Sequence, residues 1–270
     1  MGELYSLKSN LVKILALGDI TGSEASQKVC RSLSRIKSKY GIAFTVANGE
    51  NASNGNGLDK STAELLLRGG IDVLTSGNHI WQKREMTEYI DENPFVVRPA
   101  NYPKGTPGKG YVIYESFGIR ILVMNVMGTT YLESLGCPFE AVENMLEENK
   151  GQYDISVLDI HAEATSEKLA IANYFDGKID IIYGTHTHVQ TSDIRILPKG
   201  SGYLTDLGMC GPINSILGVR TETVINKFRT HMPVRFDTPS GENELNGAVF
   251  AYDTVQKRIV SAELIRENIG

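Results

Sequence analysis

The chain has 270 residues, long enough to bury a large core, and we read it as one domain over residues 1–270. Its 27 basic and 32 acidic residues leave a net charge of −5, which excludes the general electrostatic attraction that phosphate-backbone binders use. No apolar run approaches the roughly 20 residues of a membrane span, and Cys30, Cys137 and Cys210 lie too far apart for a disulfide framework or a cysteine zinc site, so a reducing, cytoplasmic location is expected.

Met1-Gly2-Glu3-Leu4-Tyr5-Ser6 matches the bare N-myristoylation pattern, but that pattern is short and a single acyl chain anchors poorly. The segment also lacks the apolar core of a secretory signal, and no anchor is expected. Val12 to Leu17 reads as a buried strand ending in Gly18-Asp19, followed by a helix from about Glu24 to Lys39 with Ser23 as its N-cap. Ile42 to Ala47 repeats the sequence of events, ending in Asn48-Gly49-Glu50-Asn51. A helix over Asp59 to Arg68 follows the glycine-rich loop, with Ser61 and Glu64 spaced as a capping box. The third round is Ile71 to Thr75, then Ser76-Gly77-Asn78-His79, then a polar helix near Lys83 to Asp91.

Tyr111 to Tyr114 and Ile119 to Asn125, joined through Phe117-Gly118, read as a hairpin or adjacent strands, and Pro138 to Asn149 reads as a helix opened by proline. Two more strand-helix units are expected, Asp154 to Ile160 ending in His161 and Ile179 to Tyr183 ending in Gly184-Thr185-His186-Thr187-His188. The tail, with Ile194 to Leu197, Tyr203 to Thr205, Gly247 to Tyr252 and Ile259 to Ile265, is expected to be β-rich. If the extended conformation runs on past Ile182, His186 and His188 point the same way, as alternate residues of a strand do.

Five apolar strands thus each end in a segment with a metal-capable side chain, and in open α/β sheets ligands bind beyond the carboxyl ends of the strands. Asp19, Glu50, Asn51, Asn78, His161, His186 and His188 are therefore expected at one sheet edge. Three imidazoles, two carboxylates and two carboxamides suit first-row transition ions better than calcium or magnesium. Seven ligands are too many for one ion, whereas two ions about 3.5–4 Å apart can share a carboxylate, activate water and clamp a phosphate undergoing in-line displacement.

In order, these segments resemble the five motifs of the calcineurin-like metallophosphoesterases. Two departures, Asp19-Ile20-Thr21 in place of Asp-x-His and Glu50-Asn51 in place of the second aspartate, are similar to the YmdB branch of that family. The likeness extends through Val189-Gln190-Thr191, Ile194 to Pro198 and Tyr203 to Met209. It implies a two-sheet α/β sandwich with flanking helices and a small cap around Arg84 to Lys109. It also implies Asp19, Glu50, Asn51 and His188 on one ion, with Glu50 bridging to Asn78, His161 and His186 on the other. Two divalent ions, iron first and manganese or zinc next, a bridging hydroxide as nucleophile, and a small phosphodiester substrate such as 2′,3′-cyclic AMP follow from the same resemblance. His79 is expected to protonate the leaving group. A bacterial source belongs to the same implication, and a homo-oligomer is compatible with it. The alternatives are a phosphomonoesterase or protein phosphatase, and a regulatory binding protein that retains the fold.

Other features read as structural. His231 has no partner pattern, the loop from Asn51 to Gly57 lacks the lysine and spacing of a P-loop and is expected to be a surface turn, and Thr205 to Gly218 is either a flap over substrate or an ordinary loop.

Overall fold

Two β-sheets lie face to face with helices outside each, in a computed structural model that describes residues 10–54 and 56–270. The acylation motif at Met1 to Ser6 lies outside the described residues. In chain order the elements are β1 (Leu11–Leu17), β2 (Asp19–Ile20), α1 (Ser23–Tyr40), β3 (Phe44–Asn48), α2 (Lys60–Arg68), β4 (Val73–Thr75), α3 (Met86–Glu92), β5 (Tyr111–Ser116) and β6 (Ile119–Met127). They continue with α4 (Pro138–Glu148), β7 (Ile155–His161), α5 (Thr165–Phe175), β8 (Ile181–Thr185), β9 (Arg195–Ile196), β10 (Gly202–Leu204), β11 (Met209–Pro212), α6 (Thr221–Thr230), β12 (Asn243–Asp253) and β13 (Arg258–Asn268).

Among the described residues the first sheet runs β2-β11-β12-β1-β3-β4, with β13 also paired to β12, and the second runs β5-β6-β7-β8-β10-β9. β1, β3 and β4 are mutually parallel, and so are β6, β7, β8 and β10. Period-two alternation sorts each strand's side chains into two cores. Ile14, Phe44, Val46, Val157, Ile181 and Phe250 meet between the sheets. Leu15 and Leu17 turn outward onto Val29, Leu33 and Leu66 of α1 and α2. On the far side, Leu158 and Ile160 pack on Val142 of α4 and Ile171 of α5. With both faces covered, the central strands read as near-continuous apolar runs, which is why they were visible in the sequence.

Several local expectations are corrected. Ser23 is inside α1 rather than its cap: Gly22 holds that position, and Ser23 Oγ donates to Asn54 Oδ1 at 2.7 Å. The cap of α2 is Asp59, whose Oδ1 accepts from Thr62 N at 2.8 Å, and Ser61 donates to that same carboxylate. No helix directly follows β8, because the chain there runs through β9, the edge strand, and turns back to set β10 between β8 and β9. Met209–Pro212 is a strand, β11, pairing β2 and β12, so that stretch is not wholly a loop. Helix α6, unanticipated, ends at His231, whose left-handed backbone supplies the C-cap. The segment expected as a cap carries α3, and its Met86, Tyr89 and Ile90 join the core beneath α1 and α2. The hairpin turn is confirmed, with Phe117 and Gly118 both at positive φ as a two-residue turn requires.

No helix among the described residues is long and apolar enough to cross a membrane.

Candidate metal centre

The carboxyl ends of β1, β3, β4, β7 and β8 bring the acidic, amide and imidazole side chains together. Asn48, at the end of β3, sets the first of them: its Oδ1 accepts from Glu50 N at 3.0 Å and its Nδ2 donates to Ser76 O at 3.2 Å. Glu50 is fully buried and stands at the middle of the cluster. Its Oε2 lies 3.2 Å from His161 Nε2 and accepts from His79 N at 3.0 Å, while Oε1 accepts from Asn51 Nδ2 at 2.9 Å. His161 Nε2 is also 3.0 Å from Asn78 Oδ1 and 3.1 Å from His186 Nδ1. The ligand atoms of Glu50, His161 and His186 all lie within 4.8 Å of one another, spacing suited to one ion.

A second group sits beside it. Asp19 Oδ1 is 3.9 Å from His188 Nε2, which is in turn 3.4 Å from Asn51 Nδ2. Asn51 directs its NH₂ toward Glu50 and His188 and its oxygen toward His79 Nδ1, at 2.8 Å. A half-turn about its last side-chain bond exchanges the two atoms and presents the oxygen as a ligand.

The residues fit a cation on three counts. Asp19 Oδ1 is buried without any hydrogen-bond partner, a costly state for a carboxylate unless a cation satisfies it. Gly77 leaves room that any larger residue would fill, since an added Cβ would collide with His161 Nε2 and Glu50 Oε2. Each histidine also has its outward nitrogen engaged, His161 Nδ1 by Thr185 Oγ1 at 2.9 Å, His186 Nε2 by Glu163 Oε2 at 3.2 Å and His188 Nδ1 by Leu217 O at 3.2 Å. The remaining nitrogens, His161 Nε2, His186 Nδ1 and His188 Nε2, face the carboxylates, the orientation outer partners impose on metal-ligating imidazoles.

The charged groups of the cluster shift one another's protonation. Burial opposes an imidazolium at His161, but Glu50, Asp19 and Asp159 outweigh it and push its pKa up to about 9. Burial raises the Glu50 carboxyl, yet His161 and His79 prevail and hold it well below the usual range. Burial and the neighbouring His161 charge take His186 down to about 3. Burial also raises Asp19, against the pull of His188 and His161.

All seven proposed ligands and His79 are therefore brought together, but by a different route for the last two histidines. β8 ends at Thr185, and His186 and His188 have φ of 95° and 62°, so the pair does not alternate along an extended strand. Sequence reading missed the supporting groups. Asp159, buried in β7, accepts from Thr185 Oγ1 at 2.7 Å, Thr75 Oγ1 at 2.5 Å and Asn48 Nδ2 at 3.1 Å. Its signal was an acid inside an apolar strand, two residues before His161 and so on the same face. The loop after β11 contributes Leu217 O to His188, which places part of the Thr205 to Gly218 stretch against the site. The loop from Asn51 to Gly57 is more than a turn at its start, where Asn51 and Ala52 are buried.

The chain matches the sequence profile of the YmdB-like protein family over residues 15–265. A 2′,3′-cyclic-nucleotide 2′-phosphodiesterase of Bacillus subtilis is 44% identical over 257 residues, covering 95% of this chain and 97% of that one. Among solved structures, a hypothetical protein of Thermus thermophilus superposes with a TM-score of 0.89 at 38% identity, covering 95% of this chain and 99% of its own. A novel phosphatase of Mycoplasma pneumoniae gives a TM-score of 0.89 at 33% identity, covering 96% and 94%.

Proposed function

The chain belongs to the YmdB-like protein family, and on that footing we propose that it is a dinuclear-metal phosphodiesterase acting on cyclic nucleotides such as 2′,3′-cyclic AMP. It is a hydrolase of phosphate esters. The observation that carries the reading is the orphaned, buried Asp19 Oδ1, with His188 Nε2 turned toward it and nitrogens of His161 and His186 turned toward Glu50. In this reading Asp19, Glu50, Asn51 and His188 hold one ion and Glu50, Asn78, His161 and His186 the other, all within the single domain of residues 1–270. Bound divalent ions supply Lewis acidity, lowering the pKa of water and neutralising phosphate charge.

The chain's own residues do the rest. Glu50 keeps its charge at neutral pH, Asn48 and His79 hold its backbone and carboxylate in place, and Thr185 backed by Asp159 fixes the His161 ring. His79 is the proton donor to the leaving group. Iron is proposed as the resident metal, with manganese and zinc next, because mixed nitrogen and oxygen donors suit these ions. The three cysteines are free, in keeping with a bacterial cytoplasmic setting.

Protein purified without added metal is expected to carry about two transition ions per chain. It should cleave bis-p-nitrophenyl phosphate at least about tenfold faster in kcat/KM than p-nitrophenyl phosphate, a difference of ~1.4 kcal/mol in transition-state binding. A monoester preference would favour the phosphomonoesterase reading. No metal, with no activity restored by iron or manganese, would leave a binding protein.

Metal uptake should also displace a proton, because His161 is pushed up to about 9 and must lose its Nε2 proton to coordinate. Calorimetric titration of Mn²⁺ into metal-free protein at pH 7.5, in two buffers of different ionisation enthalpy, should report release of about one proton per chain from this group. Affinity should rise with pH until His161 is neutral. Mn²⁺ binding with no proton release would show that His161 is already neutral before the metal binds.

A further inference from the structure

Thr187 is flanked by two residues in a positive-φ backbone conformation that strains non-glycine residues. His186 has φ 95° and His188 φ 62°. Such strain persists only where the surroundings over-determine it. What holds Thr187 is an acid from elsewhere in the chain: Asp206 Oδ2 accepts from Thr187 Oγ1 at 2.7 Å and from Thr187 N at 3.2 Å. Asp206 is itself fully buried and paired with Lys168 Nζ at 2.7 Å, and Lys168, on α5, is 1% exposed. The other oxygen, Oδ1, accepts from Gly208 N at 2.8 Å. Lys168 reaches the acid across Gly184, where an added Cβ would meet Lys168 Cδ at 2.6 Å and strike the Thr205 carbonyl.

A buried ion pair is a poor source of net stability, since desolvating both charges offsets most of their attraction. Here its hydrogen bonds end on the backbone between two proposed ligands. We propose that Lys168, Asp206 and Thr187 form a clamp that holds the strained turn so that His186 and His188 diverge onto different ions. His186 is directed to Glu50 and His161, and His188 to Asp19 and Asn51. On an extended strand both rings would lie on one side, about 7 Å apart, and serve one side of the cluster only. All three are positioning residues, and the assignment rests on the reading of the two histidines as ligands.

Thr187→Val removes the Oγ1 donor and keeps the β-branched shape and the N–H. In metal-free full-length protein, calorimetric titration with Mn²⁺ should show binding weakened by about 10- to 100-fold, the usual scale for groups that orient ligands. Thr187→Ser, which restores the donor, should return to within about threefold of wild type, and the metal-free melting temperature should move little in either variant. Lys168→Met leaves Asp206 buried without its counter-ion and should weaken Mn²⁺ binding further while lowering the melting temperature.

Wild-type affinity in Thr187→Val overturns the clamp, as does failure of Thr187→Ser to rescue. If wild type itself takes up no Mn²⁺, the functional reading fails and the clamp is judged on amide exchange. The Thr187 amide of metal-free wild type should be protected, and Thr187→Val and Lys168→Met should lose that protection with β8 unchanged. An unprotected Thr187 amide in wild type overturns the clamp whether or not the variants fold.

Discussion

Glu50→Gln should strip the centre of metal and lower diesterase turnover by at least ~10²- to 10³-fold, the scale of losing one preorganised electrostatic group, while the fold survives. The substitution is isosteric, so the loss is of charge. Glu50 is fully buried and reaches both groups of ligands, with Oε2 at His161 Nε2 and Oε1 near Asn51 and His79. Its charge is secure at neutral pH because His161 and His79 overcome the effect of burial. A glutamine can still accept from His79 N with its oxygen. Its NH₂ then faces Asn51, whose amide can turn to offer an oxygen, so no polar group is stranded. The measurements are metal content after purification, bis-p-nitrophenyl phosphate turnover and thermal melting. Normal metal content with near-normal rate would refute the bridging role, and unfolding would show that Glu50 is needed for more than the ions.

The strand ends that build this centre were legible because both sheet faces are buried, which turns each central strand into an unbroken apolar run with a clear stop. Asp19, Glu50, Asn51, Asn78 and His161 stand at those stops, and their positions follow from strand length alone. The histidine pair did not follow that logic. Its φ angles go with hydrogen bonds that His186 N donates to Asp19 Oδ2 at 3.1 Å and Thr187 N donates to Asp206 Oδ2 at 3.2 Å, partners 167 and 19 residues away in the chain. Local pattern carries no record of them. α6 was invisible for a simpler reason: of its ten residues only Val224 is buried, so there is little apolar stripe to read. The capping errors share a cause, since Gly22 and Asp59 each stand one or two residues before the hydroxyl that pattern reading favoured, and only backbone geometry distinguishes them.

His79→Ala should slow hydrolysis of a cyclic nucleotide by about 10²- to 10⁴-fold, the range of general acid catalysis, and should slow bis-p-nitrophenyl phosphate far less. The leaving alkoxide of a ribose is poor and needs a proton as the P–O bond breaks, whereas nitrophenolate departs readily without one. Geometry allows the role. His79 follows Asn78 at the end of β4, and its side chain is 26% exposed, unlike the buried Glu50 beside it. Its Nδ1 is held by Asn51 Oδ1 at 2.8 Å and lies 3.2 Å from Glu50 Oε1, which leaves Nε2 as the nitrogen for a substrate oxygen. The same contacts support a rival role, because the Nδ1–H also fixes which way the Asn51 amide points. The two roles differ in what the variant loses. If His79 is the acid, metal content stays at the wild-type value and the loss tracks the leaving group, steep for the nucleotide and shallow for the nitrophenyl ester. If it orients Asn51, the ion on the Asp19 side is held less tightly and both substrates lose rate by the same fraction. Measuring the two rates and the metal content on one preparation therefore decides between proton transfer and ligand orientation, and equal losses would remove His79 as the acid.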